Sequence, residues 1–223
     1  MILVKYIEQT LLPSYCLNCR QDTPEEPKSL RWLCLNCHLL LLPRWQKSPL
    51  KPELEESFYI FDYQKDKLAK KLIHALKYNW VKEIAETFKV ALEQERSNIK
   101  KMVFDFIIPV PLHPRRLRER GFNQSELIAE KVAELTAKPI IENIIKRKTY
   151  RRPQMEIKNR AARIKNAQNI FELVQNVQNR ILHHKTVLIV DDVATTGATL
   201  KECARVLKNS GASKVLSFTL AQD

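Results

Sequence analysis

Glycine is scarce in this chain, with only three glycines among 223 residues. The phosphate-binding loop G-x-x-x-x-G-K-[ST] occurs nowhere, which excludes the nucleotide hydrolases that depend on it. No apolar run approaches the about 20 residues that a membrane helix needs. Residues 1–12 are apolar, but Lys5 and Glu8 interrupt them and no small-residue cleavage site follows, so they predict an amphipathic helix rather than a signal peptide. We therefore expect no membrane insertion and a cytoplasmic protein whose thiols stay reduced.

Acidic residues are the minority: 25 Asp and Glu stand against 38 Lys and Arg, which gives a net charge of +13. The excess is concentrated in residues 112–165, where 15 basic residues stand against 6 acidic ones, a net charge of +9. A concentrated basic field attracts polyanions, either nucleic acid or a small phosphorylated ligand. The alternative is a solvated surface that serves solubility alone, although such a surface would mix the two signs.

The chain contains no internal repeat and divides near residue 50, where Pro43, Pro49 and Pro52 flank a polar stretch. This boundary predicts a small segment at 1–50 and a larger domain at 51–223. In the larger domain, apolar strands without polar alternation are separated by helical patterns, which is typical of an α/β domain with a parallel sheet covered on both faces. The predicted strands are 57–63, 103–110, 140–145, 186–190 and 215–220, and the predicted helices cover 68–76, 81–92, the residues after Asn123, and 198–208.

Two cysteine pairs lie in the small segment, Cys16-x-x-Cys19 and Cys34-x-x-Cys37, with 14 residues between them. Two such knuckles at this distance can place four thiolates tetrahedrally around one Zn²⁺. Four protein ligands leave no open coordination position, so this metal would be structural. A disulfide pair and a redox-active pair are the alternatives, and the adjacent His38 could replace one ligand.

A second motif joins a buried strand to a helix over residues 187–200. Four apolar residues lead to the carboxyl edge of the sheet, where α/β folds bind ligands, and two carboxylates follow, Asp191 and Asp192. Small and hydroxyl residues then open into a helix, whose N-terminal N–H groups suit a phosphate monoester. The residues of this loop are Val193, Ala194, Thr195, Thr196, Gly197, Ala198 and Thr199.

The simplest alternative is a strand-turn-helix corner in which Asp192 or Thr195 only caps the helix. The letters LIVDD also open receiver domains of two-component signalling, but those need most of a domain after this point, and about 30 residues remain here.

The segment 187–200 resembles, over its whole length, the motif with which type I phosphoribosyltransferases bind 5-phosphoribosyl-1-pyrophosphate (PRPP). The resemblance implies that Asp191 and Asp192 bind the ribose hydroxyls and that residues 194–199 bind the 5-phosphate. It also implies Mg²⁺ that accompanies the pyrophosphate and is held largely by the ligand.

A basic stretch follows the strand 103–110 and reads PVPLHPRRLRERGFNQS over 109–125. It starts at a carboxyl edge, so its arginines can reach the same cleft as Asp191, and arginine forks match phosphate oxygens well. The alternative is a solvated arginine loop.

The cysteine knuckles, the pattern P-V-P-L-H-x-x-R-x-x-x-R-G-F-N-Q and the PRPP-like loop follow one another in this order. Together they resemble the ComF family, phosphoribosyltransferase-like proteins with a double zinc ribbon that are linked to natural transformation. Lys77 and Tyr78, and the series Gln154, Arg160, Asn166 and Phe171, also match family positions. The likeness covers nearly the whole chain.

This resemblance implies a pyrophosphate loop at Leu112, His113, Arg115 and Arg116, and a mobile loop over 147–165. It also implies single-stranded DNA and the DNA-uptake helicase as partners, and the net charge of +8 over 146–165 fits DNA binding because phosphate neutralisation dominates affinity. The predicted nucleic-acid residues are Arg147, Arg151, Arg152, Arg160 and Arg163.

Three functions remain open from the sequence. The first, which we favour, is a ComF-like factor that binds PRPP and single-stranded DNA. The second is an active phosphoribosyltransferase that moves phosphoribose to a nitrogenous base, although no general base is identifiable and the pyrophosphate loop lacks the usual glycine. The third is a zinc-containing adaptor with a vestigial site, which the intact Asp191 and Asp192 disfavour.

Overall fold

The computed structural model describes residues 15–24, 26–50, 53–78, 81–148, 169–174 and 181–223. The N-terminal segment predicted as an amphipathic helix and the arginines at 151, 152, 160 and 163 lie outside these ranges. The described strands are β1 (Gln46–Lys47), β2 (Glu56–Asp62), β3 (Phe106–Pro109), β4 (Ile145–Arg147), β5 (Phe171–Leu173), β6 (Thr186–Ala194) and β7 (Lys214–Gln222). The described α-helices are α1 (Leu35–His38), α2 (Lys67–Tyr78), α3 (Ile84–Gln94), α4 (Arg96–Lys101), α5 (Pro114–Arg120), α6 (Gln124–Thr136) and α7 (Ala198–Asn209), and Lys28–Leu30 form a 3₁₀-helix.

The main sheet has the strand order β1-β2-β7-β6-β3. Strands β2, β7, β6 and β3 are parallel to one another, and β1 adds a short antiparallel edge to β2. Strands β4 and β5 form a separate antiparallel hairpin. The predicted α/β class with a mostly parallel sheet is therefore confirmed.

Both faces of the sheet are buried, because successive residues of one strand belong to different hydrophobic clusters. In β6, Leu188 and Val190 pack into the cluster that holds α2, α3 and α6. Their neighbours Val187 and Ile189 pack into a second cluster with α7 and the β4–β5 hairpin. Side chains on both faces are thus shielded from solvent, which explains why the strand sequences show no polar alternation.

The cysteine segment packs onto the sheet domain through the first of these clusters. Cys16, Leu33 and Leu41 share it with Phe61 and Phe88, and all five are nearly inaccessible to solvent. The Thr87 hydroxyl of α3 donates to the carbonyl oxygen of Ser29 at 3.0 Å. One continuous core therefore joins the two parts of the chain.

Helix α5 corrects the prediction of an arginine-rich loop after β3. The His113 side chain caps it by accepting the Arg115 backbone N–H at 3.1 Å, and Pro114 occupies its first turn. Gly121, with φ of 74°, ends it in the left-handed region that favours glycine. Both end signals were present in the sequence. Asn123 caps α6 as predicted, with its side chain accepting the Ser125 N–H.

The predicted strand 140–145 is also wrong. Ile140 makes only an isolated bridge to Ile107, and β4 starts at Ile145 in the separate hairpin. Asn143 has φ of 58°, so the backbone turns between the two pieces and cannot continue as one strand. Strand β6 runs to Ala194, beyond the predicted end, so both aspartates belong to the strand. No helix among the described residues is both long and apolar enough to cross a membrane.

Candidate functional site

A cleft opens at the carboxyl ends of β2, β3 and β6, the edge at which parallel α/β sheets bind ligands. Helices α2 and α5, the start of α6 and the β4 strand complete its walls. The described lining residues are Tyr63, Lys77, Tyr78, Val110, Pro111, Leu112, Arg116, Arg120, Asn123, Gln124, Ser125, Arg147, Asp191, Asp192, Val193, Thr195 and Thr199. The two predicted segments, 109–125 and 187–200, therefore meet in one cleft.

The two aspartates form the acidic part of the cleft. Asp191 Oδ1 accepts hydrogen bonds from the Ser125 hydroxyl at 2.8 Å and from the Asp192 backbone N–H at 2.9 Å. Lys77 Nζ lies 3.0 Å from Asp192 Oδ1. Burial, with the neighbouring charge of Asp192, raises the pKa of the Asp191 carboxyl to about 7. Desolvation opposes the charged form of Lys77, but the charges of Asp192 and Asp191 outweigh it and raise its pKa.

Basic side chains outnumber the acids among the described lining residues, since Lys77, Arg116, Arg120 and Arg147 stand against two carboxylates. The Arg120 guanidinium lies over the Tyr78 ring, 5.3 Å from its centroid, and donates to Gln124 Oε1 at 2.9 Å. The cleft is therefore positively charged around a small acidic patch, which suits a phosphorylated sugar with hydroxyl groups.

The predicted pyrophosphate residues divide between the cleft and its outer side. Leu112 and Arg116 line the cleft, whereas Arg115 forms an exposed ion pair with Glu119 at 3.0 Å. His113 caps α5, and burial together with the charges of Arg147 and Arg116 lowers the pKa of its imidazole. Arg147, predicted for nucleic acid, lines the cleft and lies 5.7 Å from the Phe171 ring centroid.

The predicted phosphate loop presents one side to the cleft and packs the other into the core. Val193, Thr195 and Thr199 line the cleft, and the Thr196 hydroxyl accepts the Ala198 N–H at 3.4 Å. Gly197 has φ of 69° and is the N-cap of α7. Its Cα faces Leu50, whose Cδ1 would lie 2.7 Å from an added Cβ. Ala194 and Ala198 are buried in the same cluster as Leu50.

The four cysteines of the first segment form a compact cluster of free thiols. Their sulfur atoms lie within 4.8 Å of one another, and Cys19 Sγ is 3.6 Å from Cys34 Sγ. Tetrahedral zinc with bonds of about 2.3 Å separates its sulfurs by about 3.8 Å, so this spacing fits a Cys₄ metal site. Burial alone would raise the pKa of Cys16, but the backbone N–H groups of Cys19, Cys34 and Asn18 lower it to about 6.

Several cleft residues were not predicted as site residues from the sequence. Arg120, Gln124 and Ser125 stand in the arginine-rich motif, but the motif does not indicate which of its side chains face inward. Lys77 and Tyr78 match positions of the ComF family, but this match did not predict a role for either residue. Tyr63 directly follows β2, and the rule that ligands bind at carboxyl ends of parallel strands would have found it.

Comparison with known proteins supports the same fold. The family model described as "Phosphoribosyl transferase domain" matches residues 159–223. Competence protein F of Haemophilus influenzae is 30% identical over 214 residues, which cover 93% of this chain and 84% of that protein. Competence protein ComFC of Bacillus subtilis is 26% identical over 219 residues, with coverages of 92% and 82%. DNA utilization protein YhgH of Salmonella typhimurium is 36% identical over 155 residues, with coverages of 68% and 66%.

Proposed function

The chain belongs to the ComF family of competence proteins, and we propose that its cleft binds PRPP or a closely related sugar phosphate during the handling of imported DNA. The observation that carries this proposal is the meeting of a basic wall, two aspartates and a helix-opening loop in one cleft. Each feature matches one part of PRPP, which has a pyrophosphate, a ribose diol and a 5-phosphate.

The parts of the ligand are assigned by chemistry. The 5-phosphate lies at the N-terminus of α7, where Thr195 and Thr199 reach the cleft and the helix dipole favours an anion. The ribose hydroxyls donate to Asp191 and Asp192. The pyrophosphate lies against Arg116 and Arg120, which line the same cleft.

Magnesium fits this arrangement only as a companion of the ligand. Both carboxylates already have protein partners, Ser125 for Asp191 and Lys77 for Asp192. The described cleft thus offers no cluster of free acids for a metal, and Mg²⁺ would be held mainly by pyrophosphate oxygens, whose charge it neutralises. The side chains of this protein supply the remaining contacts to the sugar phosphate.

Zinc at Cys16, Cys19, Cys34 and Cys37 would hold the first segment against the sheet domain. The thiols must lose their protons to bind a metal. The pKa of Cys16 is low, whereas burial raises the pKa of the Cys37 thiol to about 12, so metal binding itself must displace the Cys37 proton. Four sulfur ligands close the coordination sphere, so the metal takes no part in chemistry at the cleft.

Calorimetric titration with PRPP and Mg²⁺ tests the sugar-phosphate site. We expect wild-type protein to bind and the double variant Asp191→Ala/Asp192→Ala to show no binding, while its affinity for single-stranded DNA stays nearly unchanged. A control variant, Glu93→Ala/Glu95→Ala, removes the same charge from residues outside the cleft and should bind PRPP normally. Normal binding by the aspartate variant would refute the site.

Single-stranded DNA is the second proposed ligand, and the net charge of +8 over 146–165 supports it. Relatives named for competence and DNA utilization point the same way. Reversing Arg151, Arg152, Arg160 and Arg163 to Glu should flatten the salt dependence of DNA binding, by about 0.7 in slope for each phosphate that the protein no longer neutralises. Reversal of Lys71, Lys100, Lys101 and Lys214, all exposed, is the charge-matched control. An unaltered slope would place the DNA surface elsewhere.

A transferase activity is tested by incubating the protein with PRPP, Mg²⁺ and a panel of nitrogenous bases. Release of pyrophosphate with one base would establish the enzyme. Binding of PRPP without release would favour a sensing role, in which the uptake helicase is a proposed partner. If wild-type protein does not bind PRPP, the zinc-containing adaptor is the one of the three functions that remains.

A further inference from the structure

A hydrogen bond between Ser125 and Asp191 joins the start of α6 to the carboxyl end of β6 at the cleft. The Ser125 hydroxyl donates to Asp191 Oδ1 at 2.8 Å, and the Asp192 backbone N–H donates to the same oxygen at 2.9 Å. No described residue donates to the other oxygen, Oδ2, although Asp191 lines the cleft and is partly exposed. The described part of the protein thus occupies one oxygen of this carboxyl and leaves the other for an occupant of the cleft.

Ser125 is itself held in place by the cap of α6. Its exposed fraction is 4%, and its backbone N–H donates to the Asn123 side-chain oxygen at 3.1 Å. The Asn123 amide nitrogen in turn donates to the Val110 carbonyl oxygen, also at 3.1 Å, just beyond the end of β3. The terminal torsion of an aspartate has no sharp preference of its own. The anchored Ser125 hydroxyl therefore decides how the Asp191 carboxyl is rotated.

The charge state of Asp191 depends on groups from four elements. Burial, with the neighbouring charge of Asp192 in β6, raises the pKa of the Asp191 carboxyl to about 7, whereas Lys77 of α2 and the Ser125 hydroxyl of α6 lower it. In α7, the thiol of Cys203 is uncharged, because burial raises its pKa well above the ordinary value. Ser125 therefore favours the ionised carboxylate, which is the better acceptor for a hydroxyl group.

We propose that Ser125 is a positioning residue that holds the Asp191 carboxylate with Oδ2 toward the ligand, where it accepts a ribose hydroxyl of PRPP. This inference rests on the proposed sugar-phosphate site and deepens it by adding a control of binding by pH. Affinity for the sugar rises with pH as Asp191 loses its proton, and the Ser125 hydroxyl sets the pH at which this rise occurs. The pyrophosphate and 5-phosphate contacts do not depend on Ser125.

Ser125→Ala tests the inference by calorimetric titration with PRPP and Mg²⁺ at a series of pH values. At pH 7 we expect affinity for PRPP to fall about tenfold, and at pH 9 by only about two- to threefold, because Asp191 is then ionised in both proteins. The pH midpoint of binding should move up by about one unit, since removing a hydrogen bond to the charged form raises a pKa. Protonation of the ligand affects both proteins equally, so this difference belongs to the protein.

Inorganic pyrophosphate and a matched variant are the controls. Pyrophosphate has no sugar hydroxyl, so Ser125→Ala should not weaken its binding at any pH. Thr136→Ala removes a hydroxyl from the other end of the same helix, where it donates to the Val132 carbonyl oxygen at 2.8 Å, and should bind PRPP like wild type. Thermal melts check that each variant is folded.

The outcomes distinguish this inference from the function on which it rests. If wild-type protein binds PRPP and Ser125→Ala binds it with the same affinity and the same pH midpoint, only the inference fails. A loss of PRPP affinity that is the same at every pH, or an equal loss for pyrophosphate, would show that Ser125 does not act through Asp191 and would also overturn it. If wild-type protein binds neither PRPP nor pyrophosphate, the proposed function itself fails.

Discussion

Lys77 and Asp192 form an ion pair within the cleft, with Nζ 3.0 Å from Oδ1 and side-chain exposures of 16% and 9%. The pair joins the C-terminal end of α2 to the end of β6. Water reaches these charges poorly, so each depends on the other for compensation. In the proposed complex, a ribose hydroxyl that donates to Asp192 would share the carboxylate with Lys77, and ligand binding would then depend on the position of α2.

Replacing Lys77 by Met should destabilise the protein by about 3 kcal/mol, because the Asp192 carboxylate would remain buried without its counter-charge. Denaturant unfolding followed by circular dichroism measures the change. Lys77→Arg keeps the charge and should cost much less. The double variant Lys77→Met/Asp192→Asn removes both charges and should recover most of the stability. If the stability changes of Lys77→Met and Asp192→Asn, measured separately, simply add in the double variant, the ion pair contributes little to stability.

Asp191→Asn should stabilise the protein while removing ribose binding. The pKa of Asp191 is about 7 in the folded protein, against 3.8 as its ordinary value. The folded state therefore binds more protons between these pH values, and wild-type stability should fall as pH rises from about 4 to about 7. The asparagine variant lacks this decrease, so its advantage should grow across that window and level off at about 4 kcal/mol, since each unit of pKa difference corresponds to about 1.4 kcal/mol.

Thermal melts at a series of pH values test the Asp191 prediction. An advantage of the asparagine variant that is constant with pH would contradict it. Glu95→Gln, a carboxyl-to-amide change in a helix connection outside the cleft, is the control and should show no such growth with pH.

Gly197→Ala should destabilise the protein more than Gly121→Ala does. Both glycines have positive φ, 69° and 74°, so each alanine incurs backbone strain of about 1 kcal/mol. A Cβ at Gly121 meets nothing within 4 Å, whereas one at Gly197 collides with Leu50 and should add about 1–3 kcal/mol.

Adding Leu50→Ala to Gly197→Ala makes room for the new methyl group and should recover part of the stability. Denaturant titration of the wild type, the two single variants and the double variant gives the comparison. If Gly121→Ala and Gly197→Ala lower the free energy of unfolding by the same amount, Leu50 moves aside freely. PRPP titration of the same proteins measures whether the proposed phosphate loop at residues 194–199 still binds the ligand.

Removal of zinc should lower the stability of the whole chain, because the cysteine segment shares its core with the sheet domain. A strong chelator should release one zinc ion per chain and lower the melting temperature in a single transition. Hydrogen exchange at β7 should accelerate together with exchange near the cysteines. The variant Cys16→Ser/Cys19→Ser should show no further response to chelator. Unchanged protection of β7 would contradict the shared core.

The predictable parts of this molecule are those whose signals are local. Strand β6, helix α7 and the cysteine knuckles carry their determinants within a few neighbouring residues, and the sequence patterns identify all three. Helix α5 escaped prediction although its cap and its terminal glycine are also local, because the density of arginine and proline obscured them. The break at Asn143 had no clear signal, since a positive φ at asparagine depends on surrounding structure.

The contacts inside the cleft could not be derived from the sequence. Lys77 meets Asp192, and Ser125 meets Asp191, because the folded chain brings the end of α2 and the start of α6 beside the carboxyl end of β6. The helical pattern identifies the buried face of α2, but it does not indicate which charged residue will pair with Lys77 in the last turn. The hydrogen bond between Arg120 and Gln124 likewise depends on how the end of α5 meets the start of α6.

Strand β1 and Trp45 have a consequence for how this protein can be dissected. β1 covers the outer edge of β2, and the Trp45 ring stacks on Phe58 at 4.8 Å and on Phe218 at 5.9 Å. A fragment that starts at residue 51 would present an open hydrogen-bonding edge flanked by uncovered aromatic rings. Open edges of this kind recruit strands from other molecules. The cysteine segment and its connection therefore protect the edge of the sheet from self-association. The shortened fragment should precipitate at protein concentrations at which the full chain stays in solution.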